Sequence, residues 1–210
     1  MKIKEFKLER LFARYSSQAK YRLSQSACEY CTMQEILDMA DEECKKMWDN
    51  LVLGYTDTTG FAPLREAVAK RFVTIRPSDI LELAPEEGIF IFMNTLLDPG
   101  DEVIVMQPCL PSLYEIPRAL GCKIIKWPLQ ETSWGWTLDY NFLAENISPN
   151  TKLLVLNIPN NPTGFIPVKT EMDRILNLAD RMGTWVFCEE TYRGMEHDPA
   201  AALPSLSDMY

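Results

Sequence analysis

The run Asn157-Ile158-Pro159-Asn160-Asn161-Pro162-Thr163-Gly164 follows Leu153-Leu154-Val155-Leu156, an apolar stretch with the length and bounds of a buried strand. It ends in Pro-Thr-Gly, a turn signal. Side-chain amides at the carboxyl end of such a strand stand where an open α/β sheet presents its ligand. Taken alone, an Asn-Asn-Pro turn caps its own loop. A second group, Cys188-Glu189-Glu190-Thr191-Tyr192, closes another apolar run that starts at Thr184. A carboxylate that ends a buried strand is costly without a partner, so Glu189 either meets a ligand or caps the next turn. The third group is the turn Ala84-Pro85-Glu86-Glu87-Gly88. Free N–H groups in the first turn of a helix hold anions. Pro85 removes one such donor, and proline at the first position followed by acids also makes an ordinary helix start.

The elements that must position these groups alternate along the chain. Residues 1–31 show no clear period and read as an extended arm. Thr32 and Glu35 have the spacing of a capping box. Behind them Met33, Ile36, Leu37, Ala40, Cys44, Met47 and Trp48 recur at helical spacing, as one amphipathic helix. Gly54 to Gly60 is a loop, and Pro63 suits the first turn of a helix to about Phe72. Strands are expected near Ile80–Leu83, Val103–Met106, Lys123–Trp127, Lys152–Leu156 and Thr184–Cys188. Helices are expected from Pro85, from Ser112 to Leu120, from Asp139 to Asn146, and from a Thr170 cap to Gly183. Strands alternating with helices predict an α/β fold, its sheet mostly parallel with helices on both faces.

Composition narrows the function classes. Apolar residues make up 47% and charged residues 24%, ordinary values for a globular protein. The net charge of −9, without a long basic run, argues against nucleic acid as a partner. The apolar stretch from Gly88 to Leu97 is too short to span a bilayer, and the residues from Met1 to Arg10 lack a signal-peptide core, so a cytoplasmic location without membrane contact is expected. The six cysteines are too sparse for a disulfide scaffold, and Cys28-Glu29-Tyr30-Cys31 has neither a second pair nor a nearby histidine for a metal. They read as free thiols.

Together the three groups resemble the class I/II aminotransferases, the fold type I enzymes that use pyridoxal 5′-phosphate (PLP). The family signature N-x-P-x-N-P-T-G is met by residues 157–164. The resemblance implies roles residue by residue. Asn161 and Tyr192 donate to the ring hydroxyl oxygen. Glu189, where the family usually has Asp, faces the ring nitrogen. The turn with Pro85 and Glu86 cradles the phosphate. Leu110 stands where the family usually stacks an aromatic side chain on the ring. Tyr55, in Gly54-Tyr55-Thr56, reaches the partner subunit's phosphate across a homodimer. Residues 1–50 are then an arm and helix of the small-domain and dimer segment, and residues 51–210 a partial PLP-binding large domain. The stretches Tyr192-Arg193-Gly194-Met195-Glu196 and Tyr114-Glu115-Ile116 are similar to a subgroup that includes capreomycidine synthase-like proteins.

The implied reaction is amino transfer between an amino acid and a 2-oxo acid. A lyase or cyclase of the same fold shares every motif, and a non-catalytic remnant is the remaining alternative. The family's Schiff-base lysine, in a Ser-x-x-Lys setting, and its substrate-carboxylate arginine have no counterpart among residues 1–210. The lysines, at 2, 4, 7, 20, 45, 46, 70, 123, 126, 152 and 169, all precede Glu189. The fold is accordingly expected to be an incomplete PLP-dependent transferase-like large domain without its C-terminal strands and small domain. The chain is expected to be inactive by itself, with the strand near Ile80 deprived of its neighbours. Asn161, Glu189 and Tyr192 are expected to converge at the carboxyl ends of adjacent strands.

Overall fold

The long apolar runs of this chain pair with one another. In the computed structural model, which describes residues 1–210, five strands form one sheet: β1 (Glu102–Gln107), β2 (Lys123–Thr132), β3 (Gly135–Leu138), β4 (Thr151–Asn157) and β5 (Trp185–Glu189). Their order is β3-β2-β1-β4-β5. β1, β2, β4 and β5 are parallel, with Val103 opposite Ile124 and Leu153, and Asn157 opposite Glu189. β1 and β4 lie in the interior of the sheet, which is why their sequences are nearly continuous in Val, Ile and Leu.

Helices cover both faces, as expected. Alternate side chains of β1 and β4 feed two separate cores. Val103, Val105, Leu153 and Val155 pack with Ile89, Met93, Leu113 and Ile116 from α5 (Pro85–Leu96) and α6 (Ser112–Leu120). Ile104, Met106, Leu154 and Leu156 pack with Leu143 from α7 (Tyr140–Asn146) and with Met172, Ile175 and Ala179 from α8 (Lys169–Met182). Trp127, fully buried in the second core, donates its indole N–H to the Asp139 carbonyl at 2.8 Å. No helix is long and apolar enough to cross a membrane.

The structure departs from the sequence reading in five places. The arm contains a helix, α1 (Lys7–Tyr15), with Leu8, Leu11, Phe12 and Tyr15 at helical spacing. It lacks a side-chain cap and so gave no start signal. The capping box of Thr32 and Glu35 is present, but the helix behind it is two, α2 (Met33–Met39) and α3 (Glu42–Asp49). Ala40 is extended, and the Asp41 side chain accepts the Cys44 N–H at 2.8 Å, starting a new helix inside an unbroken apolar period. Residues 80–83 form no strand; the Glu82 N–H donates to the Thr59 carbonyl at 3.2 Å, and no sheet strand lies alongside. α4 (Ala62–Ala69) carries Pro63 in its first turn as expected, whereas α8 starts one residue before Thr170, with Glu171 accepting the Val168 N–H. Finally, β3 folds back on β2 as an antiparallel hairpin. Ser133 and Trp134 make the turn, Gly135 follows it at φ 124°, and Thr132 donates its hydroxyl to the Gly135 carbonyl at 2.8 Å.

Candidate active site

The site grows from the carboxyl ends of β4 and β5. Their register places Asn157 beside Glu189. Asn157 is fully buried, and its amide nitrogen donates both to a Glu189 carboxylate oxygen and, at 3.3 Å, to the Glu189 carbonyl. The other carboxylate oxygen accepts the Thr191 N–H at 2.8 Å. Glu189 is only 9% exposed, so these donors are what make its burial tolerable.

The amide oxygen of Asn157 faces the other way and accepts the Asn161 N–H at 3.0 Å. One side chain therefore fixes both the carboxylate and the loop that carries Asn161. Asn160 completes the loop. Its side-chain nitrogen donates to the Pro108 carbonyl at 2.9 Å, and its oxygen accepts the Thr163 hydroxyl at 2.6 Å. This ties the loop after β4 to the turn after β1. Gly164 closes the loop at φ 71°, with its N–H on the Asn160 carbonyl.

Asn161 and Tyr192 line one open cavity of about 320 Å³, shared with Ser26, Met195, Glu196 and His197. Both side chains point their donors at the same residue. Asn161 Nδ2 donates to Ser26 Oγ at 3.4 Å and Tyr192 Oη to the Ser26 carbonyl at 3.0 Å. Two donors thus reach two oxygens of one residue from the same cavity wall.

The remaining residues lie around this centre. Leu110 is half-buried in the turn after β1 and packs against the core under α5 and α6. Pro85 and Glu86 open α5 on the surface; the Ser112 hydroxyl, itself buried, donates to Glu86 Oε1 at 3.2 Å. This draws the Glu86 side chain toward α6, and the backbone N–H groups of Glu86 and Glu87 have no partner four residues back within the helix. Tyr55 stands apart, fully exposed in the loop before α4. Burial, helped by the charge of Glu189, pushes the Cys109 thiol up to about 12. Burial likewise raises Cys188. Both sulfurs are neutral fillers beneath the site.

Sequence reasoning passed over Asn157, Asn160, Ser26 and His197. Asn157 was visible as the first letter of the loop signature, whereas Asn160 stands at one of its unspecified positions. Ser26 and His197 carried no signal, because they reach the cavity from an irregular arm and an exposed turn.

Residues 20–209 match the profile of the family aminotransferase class I and II. The chain belongs to this family. It is 29% identical to an aspartate aminotransferase of Pyrococcus horikoshii, over 97% of this chain and 53% of that protein. It is 31% identical to an aspartate aminotransferase of Sulfolobus acidocaldarius, over 78% of this chain and 42% of that one. The fold superposes on a PLP-dependent aminotransferase from Streptococcus suis with a TM-score of 0.89 and 26% identity, covering 100% of this chain and 56% of the other. The PLP-dependent cyclase OrfR shares the fold at a TM-score of 0.78 and 24% identity. The chain spans about half the length of the curated relatives it matches. This fold is that of the PLP-dependent transferase large domain, matched in part.

Proposed function

We propose that this chain is the cofactor-gripping part of a PLP-dependent aminotransferase that moves an amino group between an amino acid and a 2-oxo acid. The observation that carries the reading is the convergence of Asn161 and Tyr192 on one pair of acceptor oxygens, with the Glu189 carboxylate held in the same loop system by Asn157. The donor set suits PLP. A carboxylate would meet a protonated ring nitrogen, two donors would meet the ring hydroxyl oxygen, and a helix start would meet a phosphate.

PLP, when bound, supplies an electron sink for the bond that breaks at the substrate's α-carbon. The chain's own residues prepare that chemistry. Glu189 would hold a proton on the ring nitrogen, and Asn157 and Thr191 fix its carboxylate. Asn161 and Tyr192 would donate to the ring oxygen. The N–H groups of Glu86 and Glu87 would hold the phosphate, while Leu110 would supply an aliphatic wall beside the turn. Tyr55, idle and exposed in one chain, would serve the partner copy of a cytoplasmic homodimer.

Titration of the chain with PLP, followed by tryptophan fluorescence, tests the reading. Saturable binding is expected, weakened by Asn161→Ala and by Glu189→Gln. Binding that neither substitution changes would overturn it.

A further inference from the structure

The arm that supplies Ser26 is held in an unusual way. Between Gln25 and Cys31 no backbone group bonds to another backbone group. From Gln25 to Thr32 the chain runs without a turn or a bend. Hydrogen bonds fasten it at only two residues. Ser26 takes the donors of Asn161 and Tyr192, and the Cys28 thiol donates to the Met195 sulfur at 3.6 Å. All three partners line the same cavity. Cys31 lies three residues further on, and both cysteines are free and exposed.

We propose that Cys28 and Cys31 form a thiol–disulfide modification site that releases the arm from the cavity. Along an extended backbone the two Cα atoms stand roughly 10 Å apart. A disulfide needs them within about 4.4–6.8 Å. The ring therefore closes only if residues 28–31 adopt a turn, which brings such Cα atoms under about 7 Å. The turn-free, tethered arm and the disulfide exclude each other. Oxidation also removes the S–H that donates to Met195.

The oxidant is a small-molecule disulfide. One cysteine thiolate attacks it, expelling the first small thiol and leaving a mixed disulfide. The second cysteine then displaces the other small thiol. The Cys28–Cys31 bond forms, the small disulfide's bond breaks, two electrons pass to it, and the two protons leave with the released thiols.

Release has a functional side that rests on the proposed PLP site. Ser26 occupies the donors of Asn161 and Tyr192, so the tethered arm competes with a ligand for them. The oxidised chain should bind PLP more tightly, and PLP should in turn favour oxidation, since the coupling is reciprocal.

The test uses the whole chain, equilibrated with oxidised and reduced glutathione, quenched with acid, alkylated and mapped by mass spectrometry. The expected product is one intramolecular Cys28–Cys31 disulfide. Limited trypsin digestion of the folded chain should then cut after Lys20 and Arg22 several-fold faster in the oxidised form. Cys31→Ser should abolish this response, and Met195→Leu should speed cleavage without oxidant. A glutathione adduct without ring closure, pairing with another cysteine, or equal cleavage in both forms would overturn the proposal. PLP affinity is measured separately. If PLP binds neither form while the arm responds to oxidation, the cofactor reading fails and the switch stands.

Discussion

Asn157 holds together two groups that would otherwise repel order. Its amide nitrogen neutralises part of a buried carboxylate, and its oxygen fixes the Asn161 backbone. Asn157→Ala should lower stability by about 2–4 kcal/mol, because Glu189 and the Asn161 N–H both lose their partner. Urea unfolding measures this. Combining it with Glu189→Gln should be clearly less than additive, since the two act as one unit; strict additivity would contradict the geometry. At the cavity, Tyr192→Phe removes one hydrogen bond and should raise the PLP dissociation constant about 2–10-fold. The thiols give a pH signature. Burial raises Cys109 from 9.0 to about 12, so the folded state keeps a proton that the unfolded state releases. The stability it contributes is complete below pH 9 and is lost as pH climbs toward 12. At pH 8, iodoacetamide should label Cys28 and Cys31 well before Cys109, Cys122 or Cys188. Early labelling of Cys109 would refute this assignment.

Among the elements, the turns decide where the strands deliver their side chains. α6 ends at Gly121, whose φ of 96° puts it in the left-handed region, and an added Cβ would sit 3.3 Å from Pro99 Cβ. The Gly121 carbonyl also accepts the Gly100 N–H, locking the turn before β1 to the turn before β2. Gly121→Ala should therefore destabilise the chain by about 1–2 kcal/mol, read as a lower denaturant midpoint with an unchanged slope. No loss would mean that the turn relaxes freely.

On the scale of the whole molecule, the two ends of the sheet differ. β3, a short antiparallel strand of 4 residues, forms one edge. β5 forms the other edge, with Trp185 56% exposed. An open edge carrying apolar side chains invites pairing with another copy. Leu51, Val52, Leu53 and Tyr55 are also exposed. The 210-residue chain should associate as its concentration rises, and Trp185→Lys should shift that association to higher concentration. Light scattering from a stable monomer across the millimolar range would count against both statements.

The sequence by itself determined the alternation of strands and helices, because buried parallel strands must be continuously apolar and β1 and β4 are. It also determined which polar letters end those strands, Asn161 after β4 and Glu189 after β5. It misread segments whose structure depends on distant partners or on weak local signals. Residues 80–83 have the composition of a strand and no neighbour to pair with. A single apolar period from Met33 to Trp48 is cut at Asp41, because capping a new helix satisfies backbone groups that periodicity does not count. Only the tertiary structure decided that Asn157 would serve Glu189. That contact exists because β4 and β5 are parallel neighbours in register, 32 residues apart along the chain. The same holds for Ser26, which the arm carries across 135 residues of sequence to meet Asn161.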